Sequence, residues 1–323
     1  MSARAWATFV AVSVIWGVPY LFIKVAVDDG IPPAFLAWVR VVLGGVVLVG
    51  LAWRSGALAP LRGRLRWLVA FAAVEIVVPF PLIAAGEQRV DSSLAAIIIA
   101  AAPLFVALLA LRFDASERVG GQRLAGLVIG LVGVIALVGV DIAGRSGELL
   151  GAAALLTAAL GYAAGPMLFK RHLADLDPKA SMGGALVVAA LLLAPAAAIN
   201  PPADAPSVDA TVALLVLGLV CTAAGLVLYG MLVTDVGAGR ALLITYVNPV
   251  VAVALGVVFL DESLRAGAAF GLVLILAGSW VSTRDASRPA PETAAAIPEA
   301  HCCASAELSK VPEASTAGAP AGD

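Results

Sequence analysis

Charge is scarce in this sequence. Of its 323 residues only 13% are Asp, Glu, Lys or Arg, 62% are hydrophobic, and the mean hydropathy is +1.02. A soluble domain carries about a quarter charged residues, so this chain has too few to cover a water-facing surface. Its net charge of −2 does not suggest nucleic acid or another polyanion as a partner. Histidine is rarer still: His172 and His301 both fall outside the apolar runs. Of three cysteines, Cys221 lies in an apolar run, while Cys302 and Cys303 adjoin in a polar tail. That spacing fits neither a disulfide framework nor a zinc site. Gly-x-Ser-x-Gly, His-Glu-x-x-His and the P-loop are all missing. The apolar runs offer no catalytic residue, metal site or cofactor site, and with no ATP-binding motif any driving force must be an ion gradient, an exchange partner or the solute's own gradient.

What the chain does have is long hydrophobic runs. They fall near 5–26, 33–53, 66–86, 91–111, 120–140, 149–169, 181–199, 210–232, 239–260 and 266–282. Each is close to the ~20 residues a helix needs to cross a bilayer. Their unbroken apolar character predicts helices, since barrel strands would alternate and be half as long. The N-terminal run could pass for a signal peptide, but its length and the similar runs that follow make it the first span. Lys and Arg set the orientation. With the N-terminus inside, the cytoplasmic segments before the tail hold twelve of them, Arg4 to Arg240, and the outer segments four: Lys24, Arg89, Arg145 and Arg265. Both termini are thus expected in the cytoplasm. Trp6, Trp53, Trp67 and Trp280 sit at predicted cytoplasmic span ends, where indoles anchor. The segment 283–323 is rich in Pro, Ala, Ser and Glu and reads as a disordered cytoplasmic tail. Its His301-Cys302-Cys303 cluster is either a metal or acylation site or part of a solvated tail.

Pro103 and Pro249 stand near the middle of two of these runs, 146 positions apart. The same offset maps Lys24 onto Lys170, Pro32 onto Pro178 and Pro60 onto Pro206. After a one-residue slip, GLVIGLVG at 126–133 aligns with GLVLILAG at 271–278. The chain therefore reads as two repeats, 5–140 and 149–282, of five spans each. An odd number of spans forces the second copy to enter the membrane inverted. Loop charges agree: four arginines follow span 2, while NPPADAPSVD after span 7 has none. Inverted repeats with a site between them are the architecture of alternating-access transport.

The residues also resemble a known family. WGVPYLFIKVAV at 16–27, followed by PPAFLAWVRVVL at 32–43, is similar to the opening of EamA-type transporters of the drug/metabolite transporter superfamily. SSLAAIIIAAAPLFVALLALRFDASERVGGQRLAGLVIGLVG at 92–133 resembles the family's fourth and fifth spans. GAGRALLITYVNPVVAVALGVVFLDESLRAGAAFGLVLILAG at 237–278 repeats the pattern, with its acid-containing turn at Asp261-Glu262-Ser263-Leu264. The likeness covers about residues 6–282. It implies an all-α polytopic protein of ten transmembrane helices, two inverted five-helix units around a central cavity. It also implies export of amino acids, other small metabolites or drugs. The copies differ in their polar residues: Trp16-Gly17 maps onto Tyr162-Ala163, Arg40 onto Leu186 and Glu75 onto Cys221, so the chemistry is expected to be asymmetric.

Glu75 is the acid well inside a span, and Arg40 the base. Charge in hydrocarbon is costly, so such residues face a cavity or a partner. Three roles are open for Glu75: a structural pair with Arg40, a solute contact, or a proton carrier. Trp16, Tyr20 and Trp38 lie in the outer halves of spans 1 and 2, and Tyr162, Tyr229 and Tyr246 lie inside spans. A buried phenol wants a partner, which places these rings at a cavity or between helices. Asn248, beside Pro249, is a candidate contact or an interhelical tie. Lys24 and Lys170 either snorkel or line a cavity entrance. Pro103 and Pro249 are expected as helix breaks lining the cavity, where freed carbonyls can be satisfied.

The expected function is a secondary transporter in the plasma membrane. Its partners are a small-molecule solute, a possible coupling proton and the lipid bilayer. A channel or a membrane-embedded enzyme are the alternatives.

Overall fold

The computed structural model describes residues 1–113, 121–137, 145–237, 241 and 243–283. The tail with its His301-Cys302-Cys303 cluster, Arg118 and Arg240 lie outside the described residues. Every regular element among the described residues is helical.

Prolines divide the first and third apolar runs. Helices α1 (Ala3–Gly17) and α2 (Pro19–Asp28) form one rod, interrupted where Pro19 brings no backbone N–H. Ser2 caps α1, its Oγ accepting Ala5 N–H at 3.2 Å. Helix α3 (Pro33–Arg54) opens with proline in its first turn, where the missing donor costs nothing. The third run comprises a 3₁₀ turn (Ala59–Arg64), α4 (Leu65–Ala72), a π-helical stretch (Ala73–Val77) and α5 (Pro79–Glu87). Val78 N–H reaches back five residues to Ala73 O at 3.0 Å, and this widened turn precedes Pro79.

The fourth run is α6 (Ser92–Ile99) and α7 (Ala102–Phe113), followed by α8 (Gly121–Leu137). Next come α9 (Ser146–His172) and α10 (Pro178–Ile199), the latter capped by Asp177. Helix α11 (Val208–Leu215) leads into a second π-helical stretch (Val216–Ala224) and α12 (Gly225–Val236). The last helices are α13 (Ile244–Phe259) and α14 (Ala266–Thr283). Seven continuous segments among the described residues are long and apolar enough to cross a membrane. Leu124–Leu137, Ile244–Phe259 and Ala266–Val281 are shorter apolar helices of 10–17 residues.

Apolar side chains lie on the outside as well as in the core. Val46, Leu191, Phe259 and Val273 are each more than half exposed, the inverse of a soluble surface and suited to contact with lipid. Inside, α6 is buried along its whole length, and Ile97, Ile98, Leu155 and Leu217 anchor the largest apolar cluster. Among the described residues the most extensive helix pairing is α8 with α14, followed by α3 with α10. The first pair meets through glycine: a Cβ on Gly278 would fall on the backbone of Gly126 and Gly130, and one on Gly133 would lie 2.8 Å from Leu274 Cβ. Helix α9 packs on α5, and α1 packs on α12 and α13.

The two mid-run prolines differ in their effect. Pro103 follows an interruption at Ala100–Ala101 and sits in the first turn of α7, where Leu104 N–H falls back on Ala101 O at 2.9 Å. Pro249 lies inside the unbroken α13. The two prolines thus differ in local setting: the first follows an interruption, and the second lies within a continuous helix. Any irregularity near Pro249 comes earlier, at Leu243, whose carbonyl accepts Tyr246 N–H at 3.2 Å.

Candidate functional site

Arg40, on the buried face of α3, is only 8% exposed. Its Nε donates to Thr222 Oγ1 at 2.9 Å, and its guanidinium carbon lies 4.1 Å from the centre of the Phe80 ring. Thr222 can accept because its own hydroxyl donates to Leu217 O, five residues back, at 2.8 Å. That register belongs to the π-helical stretch, so the local widening of the helix aims the threonine at Arg40. The guanidinium is thus held at Nε and on one face. Its two terminal nitrogens take no hydrogen-bond partner among the described residues.

Glu75 does not pair with Arg40, and the structural-pair expectation is corrected. No ion pair joins the two among the described residues. The first π-helical stretch turns Glu75 toward α9 instead, where a Cβ on Gly165 would occupy the space of its Oε2. That oxygen is buried and has no hydrogen-bond partner. Tyr162, one turn before Gly165 on α9, lies within electrostatic reach of both Arg40 and Glu75. Tyr20 is within reach of Tyr162 and Arg40, and Tyr229 within reach of Glu75. Arg40 and Glu75 thus sit on α3 and on the rod it packs against, and among the described residues they form no ion pair with each other.

The remaining expected residues are placed around this group or away from it. Trp16 Nε1 donates to Cys221 O at 3.1 Å, and its ring meets Tyr229 at 4.8 Å between centroids. Trp16 is a tie between α1 and the second π-helical stretch. Trp38 lies against Phe35, 6.1 Å between centroids, and packs on the cluster between α3 and α10. It is not brought to Arg40. With its amide nitrogen facing two carbonyls, Asn248 donates to Ser13 O at 3.1 Å and Ile244 O at 2.9 Å. The first of these bonds joins α13 to α1. Tyr246 is half-buried on α13. Lys24 donates to Asp28 Oδ1 at 2.7 Å and Glu87 O at 3.2 Å, tying α2 to the end of α5.

Two features escaped sequence reasoning. Glu87, the last residue of α5, has no exposed surface, and neither carboxyl oxygen has a hydrogen-bond partner. Its position at the end of an apolar run gave no sign of this. The second is a clasp at the start of α6. Glu262 Oε1 accepts Ser92 N–H at 2.7 Å, and Oε2 accepts Ser93 N–H at 2.9 Å and Ser93 Oγ at 2.5 Å. The carboxylate satisfies two of the helix's free N–H groups and meets its positive end. Asp261, at φ 52, turns the chain after α13 so that Glu262 N–H folds back on Gly256 O at 3.2 Å. A Cβ at Gly256 would press on the clasp itself, lying 3.0 Å from Ser92 Oγ. In the turn before α6, partial burial raises the Asp91 carboxyl above its usual range. Glu262 adds to that rise, and Arg265 and Lys24 oppose it.

Both halves of the chain match one family model, the EamA-like transporter family, over residues 4–139 and 149–284. The chain belongs to the EamA-like transporter family. Among its relatives is a protein of Escherichia coli (strain K12) named as the uncharacterized inner membrane transporter YedA. It is 31% identical over 252 residues, 76% of this chain and 79% of that protein. A second protein of the same strain, named as a probable amino-acid metabolite efflux pump, is 26% identical over 87% of this chain and 95% of its own length. The uncharacterized transporter YoaV of Bacillus subtilis (strain 168) is 24% identical over 86% of this chain and 96% of its own. A solved crystal structure with 19% identity covers 90% of this chain at a TM-score of 0.61, which supports the fold.

Within this EamA-like chain the polar equipment is unequal between the matched halves. Arg40 and Glu75 lie in the first, while the positions 146 residues later hold Leu186 and Cys221, both buried. The second half's contribution to the Arg40 site is Thr222.

Proposed function

We propose that this chain is a secondary transporter of two inverted five-helix units, 5–140 and 149–282, which exports a small zwitterionic metabolite of the amino-acid type from the cytoplasm by alternating access. In this reading both termini lie in the cytoplasm of a cell bounded by the plasma membrane. Support for the repeat comes from the double family match and from the two π-helical stretches, which hold Glu75 and Cys221, 146 positions apart. The packing is paired in the same sense: α9 on α5 answers α1 on α12.

The observation that carries the solute class is Arg40. Its Nε and one face are fixed, while the fork of terminal nitrogens is left without a protein partner. A planar fork of that kind recognises a carboxylate through two parallel hydrogen bonds. Glu75, on the rod that packs against α3 and with no ion-pair partner among the described residues, offers an acceptor for an ammonium group. A solute with both charges satisfies both ends, and binding relieves the cost of leaving them unpaired. The name of the amino-acid metabolite efflux relative agrees with this class.

A thermal-shift screen on purified full-length protein tests the reading, using amino acids, their decarboxylated amines and their N-acetyl derivatives. Amino acids should stabilise the protein and each analogue should lose the effect. Hits then enter solute counterflow in proteoliposomes, where Arg40→Lys should lower the rate at least ~10-fold, the effect of ~1.4 kcal/mol. Equal stabilisation by amines lacking a carboxylate would overturn the Arg40 assignment. Uptake without counterflow would identify a pore.

A further inference from the structure

We infer that Glu87 is a proton-binding site, sealed when the helix ends that carry Lys24 and Glu262 close together. Its use in energy coupling rests on the transport reading above; the site itself rests on geometry.

Glu87 has no exposed surface, and neither carboxyl oxygen has a hydrogen-bond partner or accessible area for a water molecule. The cations nearby are engaged elsewhere. Lys24 Nζ is bound to Asp28 Oδ1 and to the main-chain oxygen of Glu87, not to its carboxyl group. Arg40 is held by Thr222 and Phe80. The groups that face Glu87 are Tyr20, Lys24 and Asp28 from α2, Arg40 from α3 and Glu262 from the turn after α13. Helix α9 meets this end of α5 with Leu155, whose side chain packs against Gly86. The Glu262 charge is itself spent on the N-terminus of α6.

A bare carboxylate that can reach neither water nor a donor is not sustained as an anion in such surroundings. A proton is the ligand that removes the charge without needing room. A metal ion would need several oxygen ligands, and the described residues hold no cluster of three acidic, histidine or cysteine side chains fit to bind one. The seal is the set of contacts that closes this end of the molecule: Lys24 across α2 and α5, and the Glu262 clasp on α6. Parting these ends admits water to Glu87 and lets the proton leave. Closing them again requires that it return. Proton occupancy and closure then stabilise each other to the same degree.

Infrared difference spectroscopy of the reconstituted full-length protein, stepped across pH in potassium buffer, reads the site without a solute. Wild type should show the carbonyl stretch of a protonated carboxyl that titrates with pH. Glu87→Gln should lose a component of that band which Glu75→Gln retains. Glu262→Ala, by opening the seal, should move its loss to lower pH. Should Glu87→Gln fail to fold, Glu87→Asp decides, because the band should persist with a displaced titration. An unchanged band in Glu87→Gln, or an unmoved titration in Glu87→Asp, overturns the assignment. So does disappearance of the wild-type band when sodium replaces potassium at constant pH, which would mark a cation site. If the band behaves as expected and no solute shows counterflow, the transport reading fails and the proton site stands.

Discussion

Glu262 and Ser93, 169 positions apart in the chain, are joined twice: Oε2 of the glutamate accepts both the backbone N–H and the hydroxyl of the serine, at 2.9 and 2.5 Å. A loop that follows α13 thereby supplies the N-terminal cap of α6, a helix buried along its whole length. Helix N-termini usually find their acceptor in the residue just before them. Asp91 occupies that place and makes no such bond. The cap therefore forms only when the two segments are together, and it comes apart when they separate.

Removing this carboxylate should loosen the end of the molecule. Charge-assisted hydrogen bonds contribute ~1.5–3 kcal/mol each, so Glu262→Ala should raise the open fraction by at least ~10-fold. A cysteine at the fully buried Ser92, with the native thiols replaced by serine, reports this through its rate of reaction with a membrane-impermeant maleimide. Equal rates in the presence and absence of Glu262 would remove the clasp from any role in closure.

Gly165 leaves space for Glu75. Gly165→Ala should displace the carboxylate and lower stability by ~1–3 kcal/mol, the usual cost of overpacking. Glu75→Ala in the same chain should recover most of that loss, because it vacates the space the new methyl needs. The four thermal unfolding midpoints of this double-mutant cycle measure the coupling. Additive effects would show that the two side chains do not meet.

Thr222 orients Arg40. Thr222→Val keeps the shape and removes the acceptor of the Nε bond, leaving a buried charged donor unpaired at a cost of ~1.5–3 kcal/mol. The thermal midpoint should fall accordingly. In the Arg40→Lys background the same change should cost much less, since lysine has no guanidinium Nε–H for the threonine to hold.

The two mid-run prolines should behave differently. Pro103→Ala can fuse α6 to α7 across the break at Ala100–Ala101, whereas Pro249→Ala changes a helix that is already continuous. Counterflow with a solute from the thermal screen should therefore drop several-fold more for Pro103→Ala than for Pro249→Ala. Equal losses would support the idea of two matched breaks.

Much of the helical layout was readable from apolar run length, because hydrocarbon imposes length and continuity on each segment. The third run shows the limit. Expected as 66–86, it extends as a helical rod from Ala59 to Glu87 and changes helical form on the way. Hydropathy does not register a π-helical turn. Arg40 and Glu75 stood out as charges among apolar residues, but their partners did not. Thr222 and Gly165 come from distant helices, and nothing local marks either one. Glu87 looked like an ordinary span end, and its sealed position is created by α2 and by Leu155 of α9. The acid-containing turn at 261–264 was visible as a pattern, while its target on α6 was set by tertiary contact alone.

The glycine seam between α8 and α14 has a consequence for how the protein is made. Gly133 and Gly271 face each other in the finished molecule but leave the ribosome 138 residues apart. At ~5–20 residues per second, α8 waits on the order of 10–30 s for its partner. During that interval its smooth backbone groove is open to any other helix in the bilayer. Truncation before α14 should therefore leave a chain that inserts, fails to mature and is degraded.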